Sequence, residues 1–549
     1  MSRRFTLLSS LLALSVASAC DDGPSPSDAG SDAGGMDAGP GLDAGPDPSA
    51  ICAELGIDDV VPFDATATGT ALETVAGDFT VHTLDGDWTL SERWSGCESY
   101  VFLVWSNTDY ANGLFASGVD ELFTLGPRNA HYFFSAATTD AAEAAAKAEE
   151  MRLRIEDGFE FQGVSAEDRE YWRAHFHYVD QPIQDATGSV AELVRTAPIP
   201  AAFAITREQR FDPVGSLMTV GGAGFVPLMS MARFVPPFFD YIRALDKRIA
   251  DATDATVVPL LTDEVTTMRT LERTVTLPSA TEMAGFDTLE VDVELTCIAA
   301  PEDCSEWDRI AYVFVCDDAT CADPQELVRW ITPYSRPGRR RWLMDASALI
   351  ALLGDGGERT FRVVFGPDWE EPTERTVSVN LMLSSRGAPD RAFAAERAFV
   401  GGTFDATYNA AHTPFSFTPP AGTTRVELVT IVSGHGQTMV DNCAEWCNHE
   451  HAFSVNGASA HTIGFDGMAG TRNGCAEMSG QGVPPGQWGN WSPLRAGWCP
   501  GLPLPVRRED VTSDVMLGMP NELTYTASFA GGEPRGGDIS LSTYVVYFR

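Results

Sequence analysis

Two carboxylates stand in unusual company along this chain. Asp308 lies between Trp307 and Arg309 in Cys304-Ser-Glu-Trp-Asp-Arg309, and Glu445 lies between two cysteines in Cys443-Ala-Glu-Trp-Cys447, shortly after Ser433-Gly-His-Gly436. A third segment, Trp491-Ser-Pro-Leu-Arg-Ala-Gly-Trp-Cys-Pro-Gly501, carries Arg495 and Trp498. A carboxylate can shuttle a proton when an arginine or a second acid tunes its pKa. Asp308 beside Arg309, with Glu445 brought across a cleft, would supply that arrangement. Each piece alone has a plainer reading. An Asp next to an Arg at a strand start is usually a surface ion pair of small worth. A Trp beside a Cys in a sandwich usually packs on a disulfide, and Arg495 would then only brace its own loop. The joint occurrence of the three segments favours chemistry.

His449-Glu-His451 raises a metal reading, because alternate strand residues share one face. Two histidines are too few for a site and the remaining ones are scattered along the chain, so neither a metal nor a cofactor is expected. A copper enzyme on paired sandwiches would need a third ligand set. Neither a catalytic cysteine nor a Ser-His-Asp triad has a supporting motif.

The elements that must position these residues are strands. From about Val265 the pattern has period two: Leu289, Val291, Val293 and Leu295 alternate with Glu290, Asp292 and Glu294, and Val377, Val379, Leu381 and Leu383 repeat it. Arg425 to Val432, Leu523 to Phe529 and Ile539 to Phe548 read the same way. Short alternating strands separated by turns imply antiparallel sandwiches, and the length implies two, at 264–388 and 389–549, with a boundary near Arg386 to Arg391.

Residues 51–260 differ. Tyr100 to Trp105 and His131 to Ala136 are continuous apolar runs, the mark of strands buried on both faces. Between Asp140 and Ile155 runs an Ala/Glu/Lys/Arg-rich helix, with Asp140 and Glu143 spaced as a capping box. Ala201 to Thr206 is a third strand and Pro236 to Ala252 a helix. Alternating strands and helices imply an α/β domain with a parallel core. Its opening from Asp78 to Trp105 resembles a thioredoxin-like domain, with Pro200 at that fold's cis-proline position. Ser106-Asn-Thr-Asp109 stands where CxxC would be, so thiol–disulfide exchange is excluded.

The N-terminus has Arg3 and Arg4, an apolar run from Phe5 to Ala19, then Cys20. This pattern predicts a signal peptide over 1–19, its core too short to span a bilayer. Ala17-Ser-Ala19 before Cys20 resembles a bacterial lipobox, which implies lipidation of Cys20 and membrane attachment through that anchor only. Residues 20–50, rich in Asp, Ala, Gly and Pro, have little to bury and read as a disordered acidic tether. Across 549 residues, 37 Lys and Arg face 77 Asp and Glu, a net charge of −40, which disfavours nucleic acid as a partner. With Cys20 acylated, ten cysteines remain, an even number that reads as disulfides in an exported protein. Close spacing pairs Cys297–Cys304, Cys316–Cys321 and Cys443–Cys447, leaving Cys475–Cys499 and Cys52–Cys97.

In order and spacing, the three Trp/Cys segments resemble the bacterial peptide-N-glycosidase F family over roughly Arg273 to the C-terminus. The resemblance implies two eight-stranded jelly rolls side by side with the site in the cleft between them. It implies the disulfides Cys297–Cys304, Cys443–Cys447 and Cys475–Cys499, with Cys316–Cys321 as an addition. Residue by residue, Asp308 matches the principal catalytic acid and Glu445 a second acidic residue. Arg309 and Arg495 match arginines near the reacting centre, and Trp307, Trp446 and Trp498 fall within the motifs. Trp369 matches an aromatic residue bordering the sugar site. The family's Glu two positions before it is Pro367 here, so Asp368 is the candidate replacement, and His435 stands where the best-known member has Trp. The implied activity is hydrolysis of the amide between Asn and the first N-acetylglucosamine of N-linked glycans, by a monomer acting on glycoproteins or glycopeptides. The alternative is a glycoprotein-binding lipoprotein on the same scaffold, weakened by the change at Pro367.

Overall fold

Strands buried on both faces must lie inside a sheet, and Ser99–Trp105 and Ala130–Ala136 do so, every residue of each being buried. In the computed structural model, which describes residues 48–549 except 197–200, 222–223, 298–306, 317, 319, 368–372 and 437–442, they pair in parallel. Ala130–Ala136 pairs in parallel with Phe176–Pro182 on its other side. Ala202–Ile205 and Phe211–Pro213 close that end of the sheet as an antiparallel hairpin beside Ser99–Trp105. The helix read from Asp140 onward is Ala141–Phe161. Its capping is half of the expected box: the Asp140 carboxylate accepts from the backbone of Ala142 and Glu143, whereas Glu143 accepts from the Thr138 hydroxyl instead. After Trp105, where CxxC is missing, Thr108 caps the helix Asp109–Ala116. Pro200 lies outside the described residues.

Two antiparallel bodies follow. In the first, one sheet runs Thr256–Thr266, Arg375–Ser384, Thr288–Cys297, Gly338–Asp345, and the other runs Thr270–Ser279, Gly356–Val364, Ile310–Cys316, Gln325–Ile331. Numbered within the body, these are orders 1-8-3-6 and 2-7-4-5, the double Greek key of a jelly roll. The second body repeats both orders. Its sheets are Ala392–Thr403, Asp538–Phe548, Arg425–His435, Arg507–Asp510 and Phe415–Phe417, Asn521–Phe529, His449–Val455, His461–Gly464. The first strand starts at Thr256, inside the segment assigned to the α/β domain. Its bulges after Pro259 and Leu261 break the period-two signal that would have marked it.

The acidic alternation of Glu290, Asp292 and Glu294 points away from the core, as period two requires, but not into open solvent. The helix Val235–Asp251 crosses that face, where Asp246 bridges Arg339 and Arg341 at 2.6 and 2.8 Å. Arg339 also reaches Glu294 at 2.7 Å and Arg341 reaches Asp292 at 2.8 Å. The α/β domain is thus docked on the first sandwich through a half-buried network of charged groups.

The two sandwiches share a core. Val429, Ile431, Tyr544, Val546 and Phe548 of the second pack with Val313, Leu327 and Trp330 of the first. Across this seam the buried Arg329 donates to Ser433 Oγ at 3.0 Å and to the Ser540 carbonyl at 2.7 Å, while pairing with Glu326 at 2.6 Å. A seam so tied holds the facing loops in one register.

Of the expected disulfides, Cys52–Cys97, Cys316–Cys321, Cys443–Cys447 and Cys475–Cys499 are formed. Cys297 is also disulfide-bonded, while its expected partner Cys304 lies outside the described residues, as do Cys20 and residues 1–19, the expected signal peptide. The tether reading overshoots at its end, because the helix Pro48–Glu54 already starts within it. Among the described residues no helix is long and apolar enough to cross a membrane.

Candidate active site

Asp308 immediately precedes the strand Ile310–Cys316 of the first sandwich. The neighbouring backbone is pinned: Arg309 N–H donates to Thr332 Oγ1 at 2.9 Å, and Thr332 N–H returns to the Arg309 carbonyl at 2.8 Å. Glu445 sits on the one-turn helix Cys443–Trp446 of the second sandwich, closed by the Cys443–Cys447 disulfide. The Glu445 carbonyl accepts from Ala496 N–H at 2.9 Å, which ties this helix to the loop carrying Arg495.

Arg495 is fully buried and stands between the two acids. Its Nη2 is 3.7 Å from Asp308 Oδ2 and its Nε is 3.4 Å from Glu445 Oε1. Trp446 and Trp498 flank it, with the guanidinium carbon 4.6 and 5.1 Å from their ring centroids. Nη1 donates to the Pro493 carbonyl at 2.8 Å and Nη2 to the Tyr334 hydroxyl at 3.1 Å. That hydroxyl hydrogen-bonds the Asp308 carboxylate in turn. The guanidinium is therefore fixed in plane and direction, the preorganisation that makes a cation useful at a reacting centre.

Burial raises both acids. Asp308 is pushed up to about 6, with Arg495, Tyr334 and Arg309 opposing the shift. Glu445 is pushed up to about 7 by burial and by the Asp308 charge, with Arg495 again opposing. Two carboxyls so placed titrate as a pair around neutral pH, the range useful for proton transfer. Asp308 Oδ2 accepts no hydrogen bond from any described residue. It is a buried acceptor beside the cleft that Asp308 lines.

The cleft, about 880 Å³, is walled by Trp307, Arg309, Tyr334, Pro367, His435, Trp446, Trp488, Asn490 and Trp498 besides the two acids. Trp307 lies against Arg309, 5.9 Å from its guanidinium carbon to the ring centroid. His435 accepts or donates at 2.8 Å with Ser433 and packs on Trp498, and burial first, then Arg329, drives its pKa down to about 3, so it is neutral. Asp368 and Trp369 lie outside the described residues. A separate cavity of about 450 Å³ behind Trp498 is lined by Met344, Met468, Met478 and Leu504 and faces none of the paired acids.

Sequence reasoning missed three residues here. Tyr334, at the end of Trp330-Ile-Thr-Pro-Tyr334, carries no spacing signal that would give it a role. Trp488 is 44% exposed at the rim, and Phe225, 52% exposed, reaches the same cleft from the α/β domain. Phe225 lies on the hairpin Met218–Gly221/Gly224–Pro227, whose Thr219 hydroxyl contacts Ser492 Oγ at 3.1 Å. Only an exposed aromatic in a short Gly-rich hairpin could have flagged it.

The metal reading of His449 and His451 meets a filled shell. The pair does share one face, but inward: His449 Nδ1 contacts His451 Nε2 at 2.8 Å, His449 Nε2–H donates to the Ala444 carbonyl at 2.8 Å, and His451 Nδ1 meets the Tyr525 hydroxyl at 2.7 Å. All four nitrogens serve the core of the second sandwich.

Comparison with known proteins gives similarities over the C-terminal half. Residues 403–546 match the family model described as peptide-N-glycosidase F, C terminal. The chain is 27% identical over 296 residues to peptide-N(4)-(N-acetyl-beta-D-glucosaminyl)asparagine amidase F of Elizabethkingia miricola, covering 50% of this chain and 77% of that protein. Among solved structures, a recombinant N-glycanase F is 21% identical, covering 54% of this chain and 95% of that one at a TM-score of 0.42. A glycosylasparaginase from Flavobacterium meningosepticum is 22% identical, covering 53% and 95% at a TM-score of 0.41. The matched segment spans nearly all of the second sandwich and the amidase aligns over half the chain, so the C-terminal half of this protein is similar to peptide-N-glycosidase F.

Proposed function

We propose that this chain is a peptide-N-glycosidase, hydrolysing the amide between a glycosylated Asn and its first N-acetylglucosamine. The observation that carries the reading is the convergence of Asp308 and Glu445, one from each sandwich, on one buried guanidinium, that of Arg495. A binding module has no use for two carboxyls held near neutrality in a walled cleft.

In this reading the ionised Asp308 takes a proton from a water at its Oδ2 as the water oxygen attacks the side-chain amide carbon. Arg495 offsets the negative charge that develops there, and protonated Glu445 adds a hydrogen-bond donor. The proton held by Asp308 passes to the departing nitrogen. The C–N bond breaks, leaving Asp on the peptide and a glycosylamine on the glycan. Trp307, Trp446 and Trp488 offer apolar faces to sugar rings. Asp368 and Trp369 complete the sugar side, with Asp368 in place of the acid lost at Pro367. The scheme calls for no metal or cofactor. The protein acts as a monomer, exported and held by the lipid on Cys20, with the chain from there to the helix at Pro48 as its tether. The α/β domain is a redox-dead thioredoxin-like scaffold.

The test is mass spectrometry of an N-glycosylated peptide after incubation with the chain from residue 46 onward, which forms one compact unit. Release of the glycan with Asn converted to Asp is expected. An intact glycopeptide under conditions where another deglycosylating enzyme works would point to the glycoprotein-binding alternative.

A further inference from the structure

The histidines that look scattered along the sequence are not scattered in space. Glu98, His131, His175 and His177 gather at one end of the α/β sheet, far in sequence from the paired acids. Glu98 precedes the strand Ser99–Trp105, His131 opens the adjacent parallel strand Ala130–Ala136, His175 ends the helix Ala166–His175, and His177 lies on the strand that follows it. The Glu98 side chain is 1% exposed, and its Oε1 is 3.0 Å from His175 Nε2 while Oε2 is 3.3 Å from His131 Nε2. One ligand atom from each of Glu98, His131 and His175 lies within 4.8 Å of the other two.

The outer nitrogens decide what this cluster is built for. His175 Nδ1–H donates to the Tyr171 carbonyl at 2.7 Å, and His131 Nδ1 contacts His177 Nε2 at 2.9 Å. Both imidazoles are thereby oriented from behind, with Nε2 turned to the same carboxylate. Backing each ligand histidine with a carbonyl or another hydrogen-bonding group is how metal sites fix tautomer and direction. Glu98 Oε2 is buried, with the His131 Nε2 contact at 3.3 Å as its polar neighbour. Tyr100 and Tyr171 stack on His131 and His175, with centroids 5.1 and 4.0 Å apart, and screen the cluster from water.

We propose that Glu98, His131 and His175 form a site for a divalent transition-metal cation, with His177 as the supporting residue behind His131. Zn2+ is the natural probe. It binds imidazole and carboxylate at roughly 2.0–2.2 Å, which calls for donor atoms about 3–3.5 Å apart, and three protein ligands leave the fourth tetrahedral position to water. With the partnered cysteines oxidised, thiolates do not compete for it. The ion would join the start of two parallel strands to the end of a helix, holding the domain that abuts the cleft. It plays no part in the amide chemistry, so the proposal stands or falls separately from that reading.

The experiment is titration of the folded chain with Zn2+ against a chromogenic chelator, with bound metal counted after dialysis. About one equivalent per chain is expected, together with a rise in Tm on adding Zn2+. His131→Ala and His175→Ala should abolish that equivalent, and His177→Ala should weaken it by about 10–100-fold. Absence of stoichiometric Zn2+ on the unsubstituted chain would overturn the proposal, which makes the outcome independent of whether a variant folds. Binding that survives both His131→Ala and His175→Ala would overturn it as well.

Discussion

Arg495 Nη2 stops 3.7 Å short of Asp308 Oδ2, outside hydrogen-bond reach, although both groups are buried and opposite in charge. The shortfall has a cause: Nη2 is already committed to the Tyr334 hydroxyl and the Asn490 carbonyl. The carboxylate therefore feels the cation without being capped by it. Asp308 keeps one oxygen without a hydrogen bond from any described residue and a pKa raised to about 6, a combination that a closed salt bridge would abolish.

Removing the fork of Arg495 separates these roles. Arg495→Lys retains a charge but loses both the planar bonding and the stack between Trp446 and Trp498. We expect kcat on a glycopeptide to fall by roughly 100-fold or more with the fold kept. Arg495→Ala leaves two buried acids without a counter-charge and should destabilise the protein by about 3–5 kcal/mol in chemical denaturation. An Arg495→Lys variant with full activity would assign Arg495 to bracing its loop.

The acids also set a pH dependence. Both folded-state pKa values lie above the ordinary 3.8 and 4.5, so the native state binds more protons than the unfolded chain between about pH 4 and 7. Their contribution to stability is fully present below pH 4 and is lost as pH rises through 6 to 7. Glu445→Gln should flatten this part of the curve, so its denaturation midpoint should change less than that of the unsubstituted chain between pH 5 and 8. An unchanged slope would mean that Glu445 titrates normally.

Phe225 tests whether the α/β domain takes part in recognition. Phe225→Ala removes an exposed ring from the rim and leaves the buried acids untouched. KM for glycopeptide should rise about 5–30-fold, corresponding to about 1–2 kcal/mol of lost contact, with kcat within about twofold. An unaltered KM would leave Phe225 a bystander.

Gly486 tests the mechanical link between the same two parts. Its φ is +79°, and a Cβ there would lie 1.7 Å from the Val214 carbonyl oxygen of the α/β domain. Neither the backbone angle nor the contact tolerates a side chain. Gly486→Ala should cost about 2–4 kcal/mol and lower activity, since Trp488 to Asn490 of the same loop line the cleft. Thermal unfolding paired with an activity assay reads both effects.

These residues also mark where reading from sequence succeeds and stops. Period two identified strands such as Arg375–Ser384, where half-buried positions alternate with buried ones along the first half, and continuous apolar runs identified the parallel pair Ser99–Trp105 and Ala130–Ala136. The same alternation cannot tell water from a covering helix: the acids of Thr288–Cys297 lie beside Arg339 and Arg341 of the next strand, under the helix that carries Asp246. The paired acids were legible through their Trp and Cys neighbours. Tyr334 and Phe225 were not, because their roles depend on which loops meet. Glu98, His131 and His175 left no spacing signal at all: three separate elements of the sheet bring them together.

The account's central claim is that water attacks the side-chain amide carbon with Asp308 as base. It is tested most directly by deglycosylating an N-glycopeptide in water labelled with heavy oxygen, beside a folded Asp308→Asn variant. The account predicts one labelled oxygen in the carboxylate of the new Asp, and loss of activity by about 1,000-fold or more in the variant. A peptide product that retains Asn, or an Asp308→Asn variant that works as well as the parent, would contradict it.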